Sequence, residues 1–180
     1  MPGPASVYRR FAASTRGVAA IEFAAILPVL LLLFLASIDA GRALAIYMKV
    51  RSATYTLDAI ANQYTTIHDA DMQQILGATS VVLSPYPTSP VVAVISQLSI
   101  NAGGSATVSW SDTLNGAARA VGSSVTIPAM LANPNSFLIF AEVSYNYTPL
   151  FGYFPKNSIT LSDNLYITPR SVASITRTSP

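Results

Sequence analysis

No cysteine occurs in the 180 residues, which removes disulfides, thiolate metal sites and cysteine nucleophiles together. A domain exported by this chain therefore stands on its core alone. Charge is also scarce: 10% of side chains are charged, against about 25% in ordinary soluble domains. Ten basic and eight acidic residues leave a net charge of +2. No basic run is long enough to follow a phosphate backbone, so no nucleic-acid partner is expected. The single histidine, His68, has no plausible triad around it and reads as a solvated turn residue. After Asp71 the only acids are Asp112, Glu142 and Asp163, too few for a paired-carboxylate hydrolase. Asp69 and Asp71 lack the further carboxylates of a calcium loop, and Gly103-Gly104 reads as a turn rather than a phosphate cradle. The expectation is a protein that is not an enzyme, with no cofactor, no metal and no small-molecule substrate.

Apolar residues are abundant instead. They make up 51% of the chain, and mean hydropathy is +0.45. From Val18 to Ile38 the sequence reads VAAIEFAAILPVLLLLFLASI. About twenty residues at ~1.5 Å each span ~30 Å, the thickness of a bilayer's hydrocarbon core. A soluble core helix is one alternative, but Leu30 to Leu35 is apolar all round. A cleaved secretory signal is another, because Arg9, Arg10 and Arg16 precede the run. Against it stand the length of the run and the helical sequence that continues past Asp39-Ala-Gly-Arg42. Arg42, Lys49 and Arg51 follow the span, so the positive-inside rule is not one-sided. The acid-free arginines before the span favour a cytoplasmic N-terminus and an external C-terminal part.

Gly17 and Glu22 are the informative residues. A carboxylate at the centre of a membrane helix costs roughly 2.5–3.5 kcal/mol on insertion scales. Glu22 lies one turn into the span, where snorkelling to the interface lowers that cost. Its setting is Arg16-Gly17-Val18-Ala19-Ala20-Ile21-Glu22-Phe23. A cut after Gly17 would leave Glu22 as the fifth residue and create an amine at Val18. A carboxylate on a neighbouring copy could neutralise that amine and set the axial register between packed helices. Pro28 removes one backbone hydrogen bond inside the span and is expected to kink the helix.

The octet resembles a prepilin cleavage site, with Gly17 before the cut, Val18 after it, Glu22 at the fifth position and Phe23 following. More broadly, RGVAAIEFAAILPVLLLLFLASIDAGRAL resembles the TadE-like family, the pseudopilins or minor pilins of the tight-adherence (Flp-type) pilus system. The matching elements are Arg16-Gly17, Glu22-Phe23, Leu27-Pro28 and the exit Asp39-x-Gly41-Arg42. Val143 to Leu150 and Ile167 to Ser171 are similar to that family's closing segments. The resemblance implies a subunit that works in pilus biogenesis and assembles through its N-terminal helix. Its implied partners are the inner membrane, a prepilin peptidase, other pilins or pseudopilins and the assembly platform. It also implies a single-pass protein of the bacterial inner membrane with a periplasmic C-terminal domain, or a place in an extracellular pilus. Val18 stands where other type IV pilins carry phenylalanine, which leaves N-methylation open. The alternative is an uncleaved, membrane-anchored envelope protein acting as a binding or scaffold module.

Beyond the span, Ile46, Val50, Ala53, Leu57, Ile60, Tyr64 and Ile67 alternate in spacings of four and three, a heptad-like seam. No Gly or Pro interrupts Arg42 to Asp71, so one long helix is expected. Its seam packs either on the chain's own domain or on a partner helix. Asp71 to Gln74 reads as a capping box, opening a short helix on Met72, Ile75 and Leu76 that Gly77 stops. From Val81 the pattern is β-like. Strands are expected over Val91–Ile100, Thr107–Ser111, Phe137–Tyr147 and Ile159–Ile167, with Val108 and Trp110 on one face. Ser111–Gly116 reads as a turn, and Ile127–Leu131 as a helical turn. Gly152–Asn157 reads as an exposed loop, whose Phe151, Tyr153 and Phe154 belong either to the core or to a contact surface. The fold class is α+β: an N-terminal transmembrane helix continuing into a spine helix packed on a small antiparallel sheet. The expected organisation is a cytoplasmic prepilin-like leader at 1–17, the transmembrane helix at 18–38, spine and short second helix at 39–80, and an exported β-rich domain at 81–180.

Overall fold

The computed structural model describes residues 16–151, 158–170 and 172–178. The leader apart from Arg16 and Gly17, the loop 152–157 with Tyr153 and Phe154, and Ser171 lie outside the described residues. The chain divides into two compact units between Gly41 and Arg42.

Helix α1 covers Arg16–Ala61, with Pro28 inside it. Within the second unit, its face at Ile46, Val50, Ala53, Leu57 and Ala61 is buried in the main core. The helix expected to run on to Asp71 stops early: α1 ends at Ala61 without a Gly or Pro. Its last turn tightens: Gln63 N–H donates to Ile60 O at 3.1 Å and Tyr64 N–H to Ala61 O at 3.2 Å, the pattern of a 3₁₀ end. Asn62, itself buried, accepts the Arg170 N–H on its Oδ1 at 2.9 Å. That tertiary bond rewards leaving the helix. The seam therefore continues through Ala61, whereas Ile60 and Tyr64 are only partly buried and Ile67 enters the core from a strand.

Strand β1, Thr66–Ile67, pairs in parallel with β7, Thr176–Arg177. Helix α2 follows over Asp69–Leu83. Asp71 is not its cap, as the sequence suggested. It sits in the first turn and its Oδ2 accepts the His68 N–H at 3.0 Å, while Gln74 is exposed. Nor does Gly77 stop the helix. A helical glycine costs about 1 kcal/mol, and burial of Ile75, Leu76, Thr79 and Leu83 along one stripe outweighs it. The helix ends before Ser84-Pro85, where proline disfavours a preceding helical residue.

The sheet has the order β4-β3-β2-β5-β6, all antiparallel. Its members are β2 (Val91–Ile100), β3 (Ala106–Leu114), β4 (Ser124–Val125), β5 (Ser136–Tyr147) and β6 (Ile159–Ile167). The expected four strands are present, with the two-residue β4 added. β3 runs on to Leu114 through the segment expected as a turn. The helical turn expected near Ile127 is a 3₁₀ turn at Ala129–Leu131.

Val108 and Trp110 do not share a face. Gln97 pairs with Trp110 and Leu98 with Val108, so Ser109 is an extra residue in β3, a β-bulge. The bulge sends the two side chains to opposite sides of the sheet. Trp110 joins Ile95, Ile139, Ala141 and the helix residues in the main core. Val108 joins Leu98, Ile100, Leu138 and Phe140 in a second cluster, covered by Val125, Ile127, Leu131 and Tyr166. The sheet is thus buried on both faces over part of its length.

The C-terminal segment is fastened to this frame. Trp110 Nε1–H donates to Ile175 O at 3.0 Å, and Ile175 N–H donates to Gln97 Oε1 at 2.7 Å. The Arg177 guanidinium pairs with Asp112 at 3.0 Å and Asp69 at 2.6 Å, joining β7, β3 and the start of α2.

Candidate membrane anchor and processing site

The first part of α1 buries none of its apolar stretch, although it is long and apolar enough to cross a membrane. Val18 is 53% exposed, Leu33 63% and Phe34 61%. Fully burying a side chain of this size stabilises by about 1.5–3 kcal/mol, so a run of them left open in water would be untenable. A soluble core helix would be mostly covered by its own domain, and this one is not. The helix also runs unbroken past Asp39 into residues that fill the second unit's core. A signal peptide ending near Asp39 would have to be cut inside that helix. Helical geometry satisfies the backbone within the run, as a bilayer requires, and the Ser37 hydroxyl donates to Phe34 O at 2.7 Å.

The site residues named from the sequence all fall on this exposed part of α1. Gly17 lies in its first turn, and among the described residues a Cβ there would meet nothing within 4 Å. No crowding among the described residues requires glycine at 17, and in a helix glycine is inferior to alanine by about 1 kcal/mol. Val18 and Glu22 stand four residues apart, on one helical face and about one turn from each other. Glu22 and Phe23 are exposed, and among the described residues no cation pairs with Glu22. Pro28 has helix on both sides.

His68 precedes α2, is exposed, and has its Nδ1 at 2.7 Å from Thr178 Oγ1. Two features went unnoticed in the sequence. One is a groove of about 370 Å³ on the sheet's outer side, where Glu142 holds Arg119 in a bidentate pair (2.8 and 2.9 Å). The other is Asp58, an acid placed beside the seam residue Leu57 and 1% exposed. Its only sequence signal was an acid adjoining an apolar helical stripe.

Residues 17–56 match the TadE-like protein family. The matched stretch holds Gly17, Val18, Glu22, Phe23 and Pro28, and it ends just before Leu57. No curated protein and no solved structure matches the chain. A TadE-like segment implies a protein associated with the Tad pilus, carrying an N-terminal apolar helix as a single-pass anchor. The TadE-like family is a structural pilus component.

Proposed function

We propose that this chain is a minor pilin or pseudopilin that takes part in biogenesis of a tight-adherence pilus. It is made with the leader 1–17 in the cytoplasm, held in the inner membrane by 18–38, and carries the remainder into the periplasm. A prepilin peptidase cuts between Gly17 and Val18. The new amine at Val18 is then paired with Glu22 of an adjacent pilin or pseudopilin, and the assembly platform handles the subunit through this helix.

The observation that carries this reading is Glu22, which stands exposed on an apolar, uncovered helix one turn from Val18 within the TadE-like segment. A carboxylate at that depth is costly without a cation, and processing creates a cation at the matching depth of a neighbour. Pro28 adds a bend that helps the subunit leave the bilayer.

The test is co-isolation with pilus components from membranes that express either Glu22→Ala or Glu22→Gln. Both variants should lose at least tenfold of the wild-type yield while remaining in the membrane at normal level. Undiminished co-isolation would remove the register role and favour an anchored envelope protein that works as a scaffold.

A further inference from the structure

Asp58 lies twenty residues beyond the end of the membrane-spanning run, in the second unit. Both of its carboxylate oxygens are buried and, among the described residues, neither has a hydrogen-bond partner. Native proteins pair buried acids, because an unpaired one carries an uncompensated desolvation cost. This one lines a cavity of about 430 Å³, within the size range of small-ligand sites. The Tyr55 ring, Ala59, Leu165 and Ile167 form apolar walls, and Asn62, Gln63 and Arg170 complete the lining. Asn62 Oδ1 is already engaged by the Arg170 N–H.

The lining narrows the chemistry of the occupant. A divalent metal ion seeks six or more oxygens, and here one carboxylate sits near a guanidinium. A primary ammonium is compact and brings three N–H donors, enough for both Asp58 oxygens, which are covered in this structure and are reached as the side chains lining the cavity part around the entering cation. Its alkyl stem would lie along Leu165 and Ile167, as lysine stems do on apolar surfaces. Burial raises the Asp58 pKa to about 7, opposed only in part by Arg170, so the carboxyl is poised to ionise for an incoming cation. Arg170 lines the cavity with an exposed side chain and attracts Asp58 without hydrogen-bonding it.

We propose that the Asp58 cavity is a receptor for a primary alkylammonium group, the chemistry of a lysine side chain presented by another protein chain. The proposal stands apart from the pilus reading, since it uses no residue of the anchor.

The test uses the full chain in detergent micelles, with labelled Leu and Ile methyl groups followed by NMR. The probes are n-butylammonium, Nα-acetyl-lysine methylamide and neutral 1-butanol. At pH 8 both ammonium probes should shift the Leu165 and Ile167 methyl signals saturably, and 1-butanol should bind at least tenfold more weakly. Binding should weaken at least tenfold at pH 5, where the carboxyl is protonated, and likewise in Asp58→Asn. Arg170→Ala, which removes the competing cation, should bind several-fold more tightly. Equal affinity for 1-butanol, binding indifferent to pH, or weaker binding by Arg170→Ala would overturn the proposal. Binding of butylammonium without the lysine derivative would overturn the lysine source, leaving a small free amine as occupant.

Discussion

Replacing Asp58 by asparagine removes one ionisation and almost no volume, so its effect on stability against pH can be worked out beforehand. In the folded chain burial raises this carboxyl to about 7, from 3.8 in the unfolded chain. Between those values the folded state binds the proton that the unfolded state releases. The contribution is therefore fully present below pH 3.8 and is lost as pH rises to about 7. At about 1.4 kcal/mol per pH unit, the interval corresponds to at most about 4 kcal/mol. The amide of Asp58→Asn would remain a buried polar group without partners, at a cost of about 1–3 kcal/mol, but that cost does not change with pH. Urea unfolding of both full-length proteins in micelles, followed by Trp110 fluorescence from pH 4 to pH 8, gives the comparison. The difference between them cancels every other titrating group. Wild type should lose about 2–4 kcal/mol relative to Asp58→Asn across that range, and above pH 7 the variant should equal or exceed wild type. Parallel curves, or a wild type that gains relative stability with rising pH, would refute the reasoning.

Other outcomes follow from the packing. Leu57→Ala empties a fully buried position of the helix seam and should cost about 2–5 kcal/mol in the same unfolding assay. Trp110→Phe leaves the Ile175 carbonyl without its donor; a loss of about 1–3 kcal/mol should come with faster amide exchange at Thr176 and Thr178. Arg177→Met unpairs Asp69 and Asp112 and should destabilise by about 1–3 kcal/mol, given the partial exposure of both acids. A loss no larger than that of a surface substitution would show that the pairs do not hold the C-terminal strand. Pro28→Ala should leave membrane insertion unchanged and lower the yield of assembled pili; normal assembly would dispose of the bend.

The parts of the fold legible in the sequence were those marked by local chemistry. β2 and β6 fall on the expected residues, Val91–Ile100 and Ile159–Ile167, because turn-forming residues bound alternating or apolar runs. The anchor was legible from composition alone. What could not be read were decisions made by tertiary contacts. α1 stops at Ala61 where Asn62 is taken by Arg170, more than a hundred residues away. α2 runs through Gly77 because the stripe beyond it is buried. The Ser109 bulge, which splits Val108 from Trp110, looks in sequence like unbroken alternation. The site residues were legible as a motif only: Gly17, Glu22 and Phe23 lie on the exposed part of α1, and the roles proposed for them lie in contacts with other molecules. Asp58 was illegible for the opposite reason: its setting is made by β6 and the segment after it, remote in the chain.

The central claim, processing after Gly17, is tested most directly by the first residue of the mature protein isolated from membranes with and without the prepilin peptidase. Val18 as the first residue, only where the peptidase is active, is the expected result. Met1 retained under both conditions would contradict it, and the chain would then be an uncleaved, membrane-anchored envelope protein.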